Sequence, residues 1–541
     1  MLIPTLAFLG IFFFLPLVRI LAFGLDTSAL TTGNLDLASR TLLFTTYQSL
    51  LSVLLTLVLG LPAAWLFARY DFPGKSLLRA LTAVPFMLPT VVVAAGFNAL
   101  LGPRGWLNLG LMGLFGLQSP PVEFVGTLGA ILAAHVFYNT TIVIRIVGSA
   151  LSQLDPRLPE AARVLGADGR RAFRHVTLPL LRPSVLAAGL LVFLFDFTSF
   201  GVILLLGGPQ FATLEVEIYV QALSLLDLPL AALLSAIQLA CTLAFSVLYT
   251  RLSRAQSQTS PHPQPARRPQ TARQRIFVVT FALLLIAFFV LPLLALPLRS
   301  VTQLEAARGD RTQFQSGLTL DFYRELFVNR RGSVFYVPPA DAFRNSLLYA
   351  GTTVLLSLSL GFPAAQALTR QTRLTRLLDP LLMLPLGASA VMLGLGFILA
   401  FNRMLAQPWL VPIAHTTIAL PFVVRALQPA LASIPERLRQ AAASLGASPL
   451  RVWLTVDWPI IWRAALSAAT FAFTVSMGEF GATTLLTRPE YPTIPVAIYR
   501  FLSQPGGLNY GQAMAMATLL MAVTTLAILL IERLRLPGGE F

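Results

Sequence analysis

The stretch that decides the fold is EAARVLGADGRRAFRHVTLP, residues 160–179, because it recurs 280 positions later as QAAASLGASPLRVWLTVDWP, residues 440–459. In each copy small residues open a short helical pattern, which Gly166 or Gly446 ends, and a second short segment then ends at a proline. A helix bracketed in this way forms a rigid knob, and its small side chains allow another protein to approach closely. Two equivalent knobs predict a partner with twofold symmetry.

The composition of the whole chain is that of an integral membrane protein. The 541 residues are 56% hydrophobic and only 11% charged, whereas an average protein has about 25% charged residues. The apolar residues form blocks of about 20, which as helices can span a hydrocarbon core of about 30 Å. We interpret the first block as a first spanning helix that is retained, and not as a signal peptide that is cleaved. Twelve spanning helices are predicted, at roughly 2–23, 42–67, 81–101, 126–146, 185–206, 230–250, 276–298, 346–368, 381–401, 409–424, 464–486 and 511–531.

The net charge of +16 follows from where the basic residues lie. If the N-terminus is inside, the inner segments contain 26 of the 39 Lys and Arg residues and 9 of the 23 acids, a surplus of +17. The outer segments are close to neutral. The positive-inside rule therefore predicts that both termini lie on the inner side. The charge indicates topology and not a nucleic-acid partner.

The repeat divides the chain into two six-helix halves, residues 1–250 and 276–541. A linker, residues 251–275, joins them and contains six arginines and no acid, which is typical of a flexible cytoplasmic tether. Both halves have the same inside–outside sense, so the predicted fold class is an all-α membrane protein with a parallel repeat about a pseudo-twofold axis. The offset of 280 also aligns His135 with His415, Phe200 with Phe480, and Gly201 with Gly481.

In the repeated loops the chain resembles the permease subunits of ABC importers. Their loop signature is Glu-Ala-Ala, three residues, Gly, nine residues and then Ile-x-Leu-Pro. Both copies keep this spacing, although the second has Gln in place of Glu. The resemblance implies a MetI-like type I importer permease fold. It also implies that a dimeric ATPase docks on the cytoplasmic face against Glu160, Ala161, Ala162, Gly166, Gln440, Ala441, Ala442 and Gly446.

The same resemblance implies a channel-forming subunit of the bacterial plasma (inner) membrane and not an enzyme. An extracytoplasmic solute-binding protein would deliver substrate, and the chain itself would need no cofactor because ATP and Mg would be bound by the separate ATPase. Lys75 in RYDFPGKSLL imitates the end of a phosphate-binding loop, but Arg69 stands where that loop requires Gly. We interpret Lys75 as a basic residue of an inner loop, and no catalytic residue is predicted.

Two halves fused in one polypeptide are similar to the ferric-iron and thiamine branch of this family. The segments GGPQFATLEVEIYVQAL (207–223) and AHVFYNTTIVIR (134–145) look closest to thiamine-type permeases. Thiamine or a related cationic compound is therefore the expected substrate, and ferric iron is the alternative. A secondary transporter with two six-helix halves is a weaker alternative, which the twice-repeated loop disfavours.

Two acids, Asp196 and Glu479, fall inside predicted spans. A carboxylate at the centre of a span costs about 2.5–3.5 kcal/mol and normally faces a cavity or a partner. The equivalent of Glu479 in the first half is Ser199, and Ser476 flanks Glu479. These four are candidate residues of a translocation path, with buried interhelical hydrogen bonds as the alternative. His135 and His415 are expected to bond to neighbouring helices, and the four scattered histidines predict no metal site.

Overall fold

A computed structural model describes residues 2–155, 157–254, 266–307, 310–329, 337–370 and 372–534. The first half contains α1 (Ile3–Leu9), α2 (Leu15–Gly24), α3 (Thr32–Arg69), α4 (Lys75–Met87), α5 (Thr90–Leu101), α6 (Trp106–Phe115), α7 (Leu128–Gln153), α8 (Arg157–Val164), α9 (Gly169–Ala172), α10 (Leu178–Phe197), α11 (Gly201–Leu206), α12 (Leu214–Tyr219) and α13 (Leu228–Arg254). The second contains α14 (Ala272–Ser300), α15 (Asp321–Arg324), α16 (Pro339–Thr369), α17 (Arg373–Met383), α18 (Ala390–Ala400), α19 (Leu410–Ala432), α20 (Glu436–Ser444), α21 (Pro449–Val452), α22 (Trp458–Gly478), α23 (Gly481–Leu486), α24 (Ile494–Leu502) and α25 (Gly507–Leu534).

Helix occupies both ends of the predicted linker 251–275, since α13 continues to Arg254 and α14 begins at Ala272. The middle of the linker, residues 255–265, lies outside the described residues. Beyond it, Arg267 pairs through its backbone with the end of the first long helix: its N–H donates to the carbonyl of Arg69 at 3.0 Å. The chain that enters the second half is thus attached to the first.

Ten of the described helices are long and apolar enough to cross a membrane, and two bent helix pairs bring the number of spans up to the predicted twelve. In the predicted spans 81–101 and 381–401 the helix axis turns by 112° and 99°. The prediction of one continuous helix in each of these two spans is therefore wrong, because each is a pair of helices joined at a bend. In the first pair Leu88 adopts extended backbone, with ψ 146°, because a residue before a proline, here Pro89, is disfavoured in the helical region.

The predicted spans 185–206 and 464–486 are also interrupted. The first is α10 followed by α11 after a break at residues 198–200, and the second is α22 followed by α23 after a break at residues 479–480. The short helices α11 and α23 begin at the paired residues Gly201 and Gly481. The repeat thus preserves a break at the same place in both halves.

A β-hairpin follows α14 and was not predicted. Strands β1 (Thr302–Ala307) and β2 (Asp310–Leu318) pair antiparallel, with Thr302 opposite Leu318. The hairpin lies in a predicted outer segment, so the spanning part of the chain keeps its all-α class. No strict alternation of apolar and polar residues marks these strands in the sequence, which is why hydropathy did not reveal them.

The first helix of each half packs against the other half. Helix α2 packs on α18, and α14 packs on α5. Glycines permit both crossings: a Cβ added at Gly96 would lie 2.8 Å from the carbonyl oxygen of Pro292, and one at Gly396 would lie 2.8 Å from the Cβ of Pro16. The sequence halves 1–250 and 276–541 are therefore interlocked, and the largest buried apolar cluster contains residues of both.

Candidate functional site

The two repeated loops fold into the short helices α8 and α20, which have no buried residues. The structure places the eight predicted docking residues on these two knobs. Ala162 and Ala442 are partly buried, whereas the others are exposed: Glu160, Ala161, Gly166, Gln440, Ala441 and Gly446. Equivalent positions of the two copies therefore have the same exposure to solvent.

A glycine ends each knob because the backbone turns left-handed there. The φ angle is +88° at Gly166 and +80° at Gly446, a region in which a Cβ is disfavoured. The N–H of Gly166 donates to the carbonyl of Arg163, and the N–H of Ala167 to that of Ala162, both at 3.0 Å. This pair of bonds is the Schellman motif, which satisfies the last carbonyls of a helix. In the second copy, the N–H of Gly446 donates to Ala443 at 2.9 Å and the N–H of Ala447 to Ala442 at 3.1 Å.

Each knob continues into a spanning helix through the same local structure. The Asp168 side chain accepts a hydrogen bond from the N–H of Arg171 at 2.7 Å, and Ser448 accepts one from the N–H of Arg451 at 3.4 Å. These bonds cap α9 and α21. A π-helical turn then leads without a gap into α10 or α22, at Phe173–Thr177 and Trp453–Asp457. The knobs are thereby connected to the two spans that contain the breaks.

Large apolar side chains project from the tips of the knobs. Leu165 is 87% exposed and Leu445 is 88% exposed. At the start of the knobs, Leu158 and Leu438 are exposed as well. Leucines that occupy the same exposed positions in both halves form a paired apolar surface, and such surfaces mark sites of protein interaction.

The second knob has an ion pair that the first lacks. Arg439 Nε donates to Asp457 Oδ1 at 2.8 Å, and Asp457 itself is buried. The residues equivalent to Arg439 and Asp457 in the first half are Pro159 and Thr177. The second knob is thus fastened to the start of its spanning helix by charge, in addition to the shared backbone.

The candidate path residues of the first half form a buried polar cluster at the break. Asp196 accepts a hydrogen bond from Asn139 Nδ2 at 2.6 Å, and its Oδ1 lies 3.5 Å from His135 Nδ1. His135 Nε2 is hydrogen-bonded to Ser199 Oγ at 2.9 Å. Gln48 Nε2 donates to the main-chain carbonyl of Asp196 at 3.1 Å. The cluster joins α3, α7 and α10.

The second half has a corresponding cluster around His415. Its Nδ1 is hydrogen-bonded to Ser476 Oγ at 2.7 Å, and its Nε2 lies 3.3 Å from Glu479 Oε2. The Glu479 carboxylate also accepts hydrogen bonds from the N–H groups of Ala482 at 2.9 Å and Thr483 at 2.8 Å, and from the Thr483 hydroxyl. Glu479 therefore caps the N-terminus of α23.

The structure brings all four candidate path residues against the two histidines. His415 is hydrogen-bonded to α22 and α23, whereas His135 is hydrogen-bonded to Ser199 in the break after α10. Asn139 and Thr483 take part in these clusters and were not predicted. Asn139 lies four residues after His135, so the sequence places both side chains on one face of a helix. Among the described residues, no group of three or more His, Cys, Asp and Glu side chains is arranged to hold a metal ion.

Another buried carboxylate, Glu215 in α12, was also not predicted, because it lies outside the expected spans. It accepts hydrogen bonds from Gln238 Nε2 at 2.5 Å and from Ser389 Oγ at 2.7 Å. Ser389 caps α18 in the second half. Glu215 therefore connects the two halves at the bend between α17 and α18.

Comparison with known proteins supports the family resemblance that the sequence indicated. Residues 56–258 match the family described as binding-protein-dependent transport system inner membrane component. The chain is 29% identical to the thiamine transport system permease protein ThiP of Brucella suis biovar 1 (strain 1330), over 90% of this chain and 86% of that protein.

Other relatives show the same extent of similarity. The chain is 28% identical to the thiamine transport system permease protein ThiP of Escherichia coli (strain K12), over 92% of this chain and 88% of that protein. It is also 28% identical to the probable ABC transporter permease protein y4fN of Sinorhizobium fredii (strain NBRC 101917 / NGR234), over 91% of this chain and 87% of that protein. These similarities cover both halves.

Proposed function

We propose that both halves together form the permease of an ATP-driven importer of thiamine or a related cationic compound. The match of residues 56–258 to the inner-membrane components of binding-protein-dependent transport systems supports this proposal. Relatives that match about nine-tenths of this chain are named as thiamine transport permeases. The segments 207–223 and 134–145 support the same choice. Ferric iron is the alternative substrate for the same machine.

The observation that carries the proposal is the pair of exposed knobs. Leu165 and Leu445 project from identical Schellman-capped helices, one in each half. A dimeric ATPase presents two equivalent clefts, so a pseudo-twofold pair of rigid apolar knobs is complementary to it. In this proposal ATP and Mg are bound by the ATPase, and the permease contributes no catalytic residue. A secondary transporter is not driven by an ATPase and would need no such docking pair.

The proposed orientation places both knobs and both termini on the cytoplasmic side of the bacterial inner membrane. The inner surplus of basic residues supports it. The outer face would then receive substrate from a solute-binding protein.

Single cysteines introduced into a Cys241→Ser background test this orientation. An impermeant maleimide added to intact cells should label a cysteine at position 226, in the loop after α12, and not one at position 165.

We place Asp196, Ser199, Ser476 and Glu479 beside the translocation path, because they lie at the breaks in the two spans that the knobs connect to. The hydrogen bonds of Ser199 to His135 and of Ser476 to His415 would hold the two breaks in their present geometry. Substrate-driven opening requires contacts that differ between two states.

Uptake by the full transporter tests the proposed function. Cells that lack thiamine uptake would express this chain with its ATPase and binding protein and be given radiolabelled thiamine or radiolabelled ferric iron. We expect ATP-dependent thiamine uptake.

Leu165→Asp with Leu445→Asp should abolish both uptake and co-purification of the ATPase, because charge would enter an apolar contact. Leu226→Asp is the matched control, since Leu226 is 73% exposed in a loop outside the knobs. Iron uptake without thiamine uptake would select the alternative, and uptake that persists without the ATPase would contradict the importer.

A further inference from the structure

Four aromatic side chains meet where the two halves join. Phe200 and Phe480, which the repeat pairs, stack with ring centroids 5.3 Å apart and an interplanar angle of 27°. Tyr219 lies 5.4 Å from Phe200, and Tyr499 lies 5.6 Å from Phe480. The two tyrosines are also equivalent in the repeat and interact with each other. A contact between equivalent residues of two halves lies on the pseudo-twofold axis.

The cluster is located at interrupted helices. Phe200 and Phe480 occupy the breaks that precede α11 and α23. The bends of the other two broken spans lie close by: the Cβ position of Gly201 is 2.5 Å from Thr90 Oγ1, and that of Gly481 is 3.0 Å from Ala390 Cβ. Irregular backbone at membrane depth is tolerated where it is buried in protein or lines a cavity, and in transporters it marks substrate sites.

The chemistry of the cluster suits a flat organic cation. The faces of phenyl and phenol rings attract cations within about 6 Å of the ring centroid, and they also stack on aromatic guests. Phe480 directly follows the Glu479 carboxylate, and Asp196 precedes Phe200 by four residues. The nearby cation Arg500 interacts with Glu490 as well as with Tyr219. Ferric iron prefers oxygen ligands, which phenyl faces do not supply.

We propose that Phe200, Tyr219, Phe480 and Tyr499 form an aromatic site that holds an aromatic cation as it passes through the permease. This proposal rests on the proposed function and adds the residues and the type of contact. In this structure the two phenylalanines stack on each other, with no room for a guest ring between them. A guest ring between them needs their centroids about 7 Å apart, so opening of the two helix breaks would create the site and closing would expel the cation.

Fluorination of the rings tests the site without changing the fold. Each fluorine withdraws electron density from the ring face and weakens its attraction for a cation, while the apolar shape is nearly kept. Phe, 4-fluoro-Phe, 3,5-difluoro-Phe and 3,4,5-trifluoro-Phe would be inserted at position 200, at position 480 and, as a control, at position 137. Phe137 is a fully buried ring that packs on Phe97 and Phe289 and not on the axis. The measurement is the KM for radiolabelled thiamine uptake by the full transporter.

We expect the KM to rise stepwise with fluorine number at positions 200 and 480, by about tenfold for the trifluoro ring, and to stay unchanged at position 137. A flat series at 200 and 480 in a transporter that takes up thiamine would overturn the aromatic site and leave the proposed function intact. An equal rise at all three positions would also overturn it, because the effect would then be one of packing. If the unaltered transporter takes up no thiamine, the proposed function fails, and the site fails with it.

Discussion

Asp196 and Glu479 occupy different positions of the repeat, yet each carboxylate lies against the histidine of its own half. The distances are 3.5 Å from Asp196 Oδ1 to His135 Nδ1 and 3.3 Å from Glu479 Oε2 to His415 Nε2. The repeat aligns Asp196 with Ser476 and Ser199 with Glu479. The acid and the serine have therefore exchanged places, while the histidine between them stays fixed. The two halves build one kind of cluster in two ways.

This exchange predicts that the first half tolerates the arrangement of the second half, with the serine at position 196 and the acid at position 199. Asp196→Ser alone should destabilise the protein by about 1.5–3 kcal/mol, because Asn139 and His135 lose a buried partner. Adding Ser199→Glu should restore part of that loss, since a carboxylate at this position can cap α11 as Glu479 caps α23. The measurement is the thermal unfolding midpoint of the purified chain. A double variant less stable than Asp196→Ser would show that the clusters are not interchangeable.

The left-handed glycines of the knobs predict a local defect. Gly166→Ala and Gly446→Ala should each cost about 1 kcal/mol at the knob, because φ near +80° disfavours a Cβ. We expect weaker co-purification of the ATPase with normal insertion into the membrane. Asn at the same positions should restore part of the binding, since Asn tolerates this region better than Ala. Gly110→Ala is the control, because Gly110 lies inside the exposed helix α6 with no atom near its Cβ position. Equal binding by all these variants would contradict the role of the caps.

The knobs could be predicted from sequence because their structure is local. The six consecutive residues from Ala162 to Ala167 contain the whole Schellman motif, and the spanning blocks follow from hydropathy in a similarly local way. The family resemblance drawn from those loops is supported by the match over residues 56–258.

Features that depend on which helices meet could not be predicted. Hydropathy identifies the first and seventh spans but does not reveal that each crosses to the opposite half. Pro89 disfavours a helical conformation at Leu88, yet only packing decides between a kink and a bend of 112°. The partners of Asp196 come from helices far away in sequence, so the sequence left open whether it faced a cavity or a hydrogen bond.

The crossing of the first helices predicts sensitivity at two equivalent glycines. Gly96→Ala would bring a Cβ to 2.8 Å from the backbone oxygen of Pro292, and Gly396→Ala would bring one to 2.8 Å from the Cβ of Pro16. Each substitution forces two helices apart, at a cost of about 1–3 kcal/mol. Both should lower the thermal midpoint of the purified chain. Gly351→Ala, in the middle of α16 with open space at its Cβ position, should leave it unchanged or raise it. A Gly96→Ala protein as stable as Gly351→Ala would contradict the close crossing.

The ion pair of the second knob predicts a measurable coupling energy between Arg439 and Asp457. Burial alone would lower the pKa of Arg439, but hydrogen bonds and charge from Asp457 and Glu436 raise it overall. A raised pKa means that the contribution of the guanidinium to stability is present at all working pH values and is lost only in strong alkali.

A double-mutant cycle of Arg439→Gln and Asp457→Asn measures this coupling through the thermal stability of the purified chain. We expect about 1 kcal/mol, since the pair is partly shielded from solvent. The more exposed pair Arg425–Asp379, with Nη2 and Oδ2 3.2 Å apart, serves as the control and should give a smaller value. Both single variants at the second knob should also weaken co-purification of the ATPase, because the knob would lose its fastening to α22. Additive single effects, with no coupling, would mean that the shared caps and π-helical turns alone position this knob, as they do in the first half.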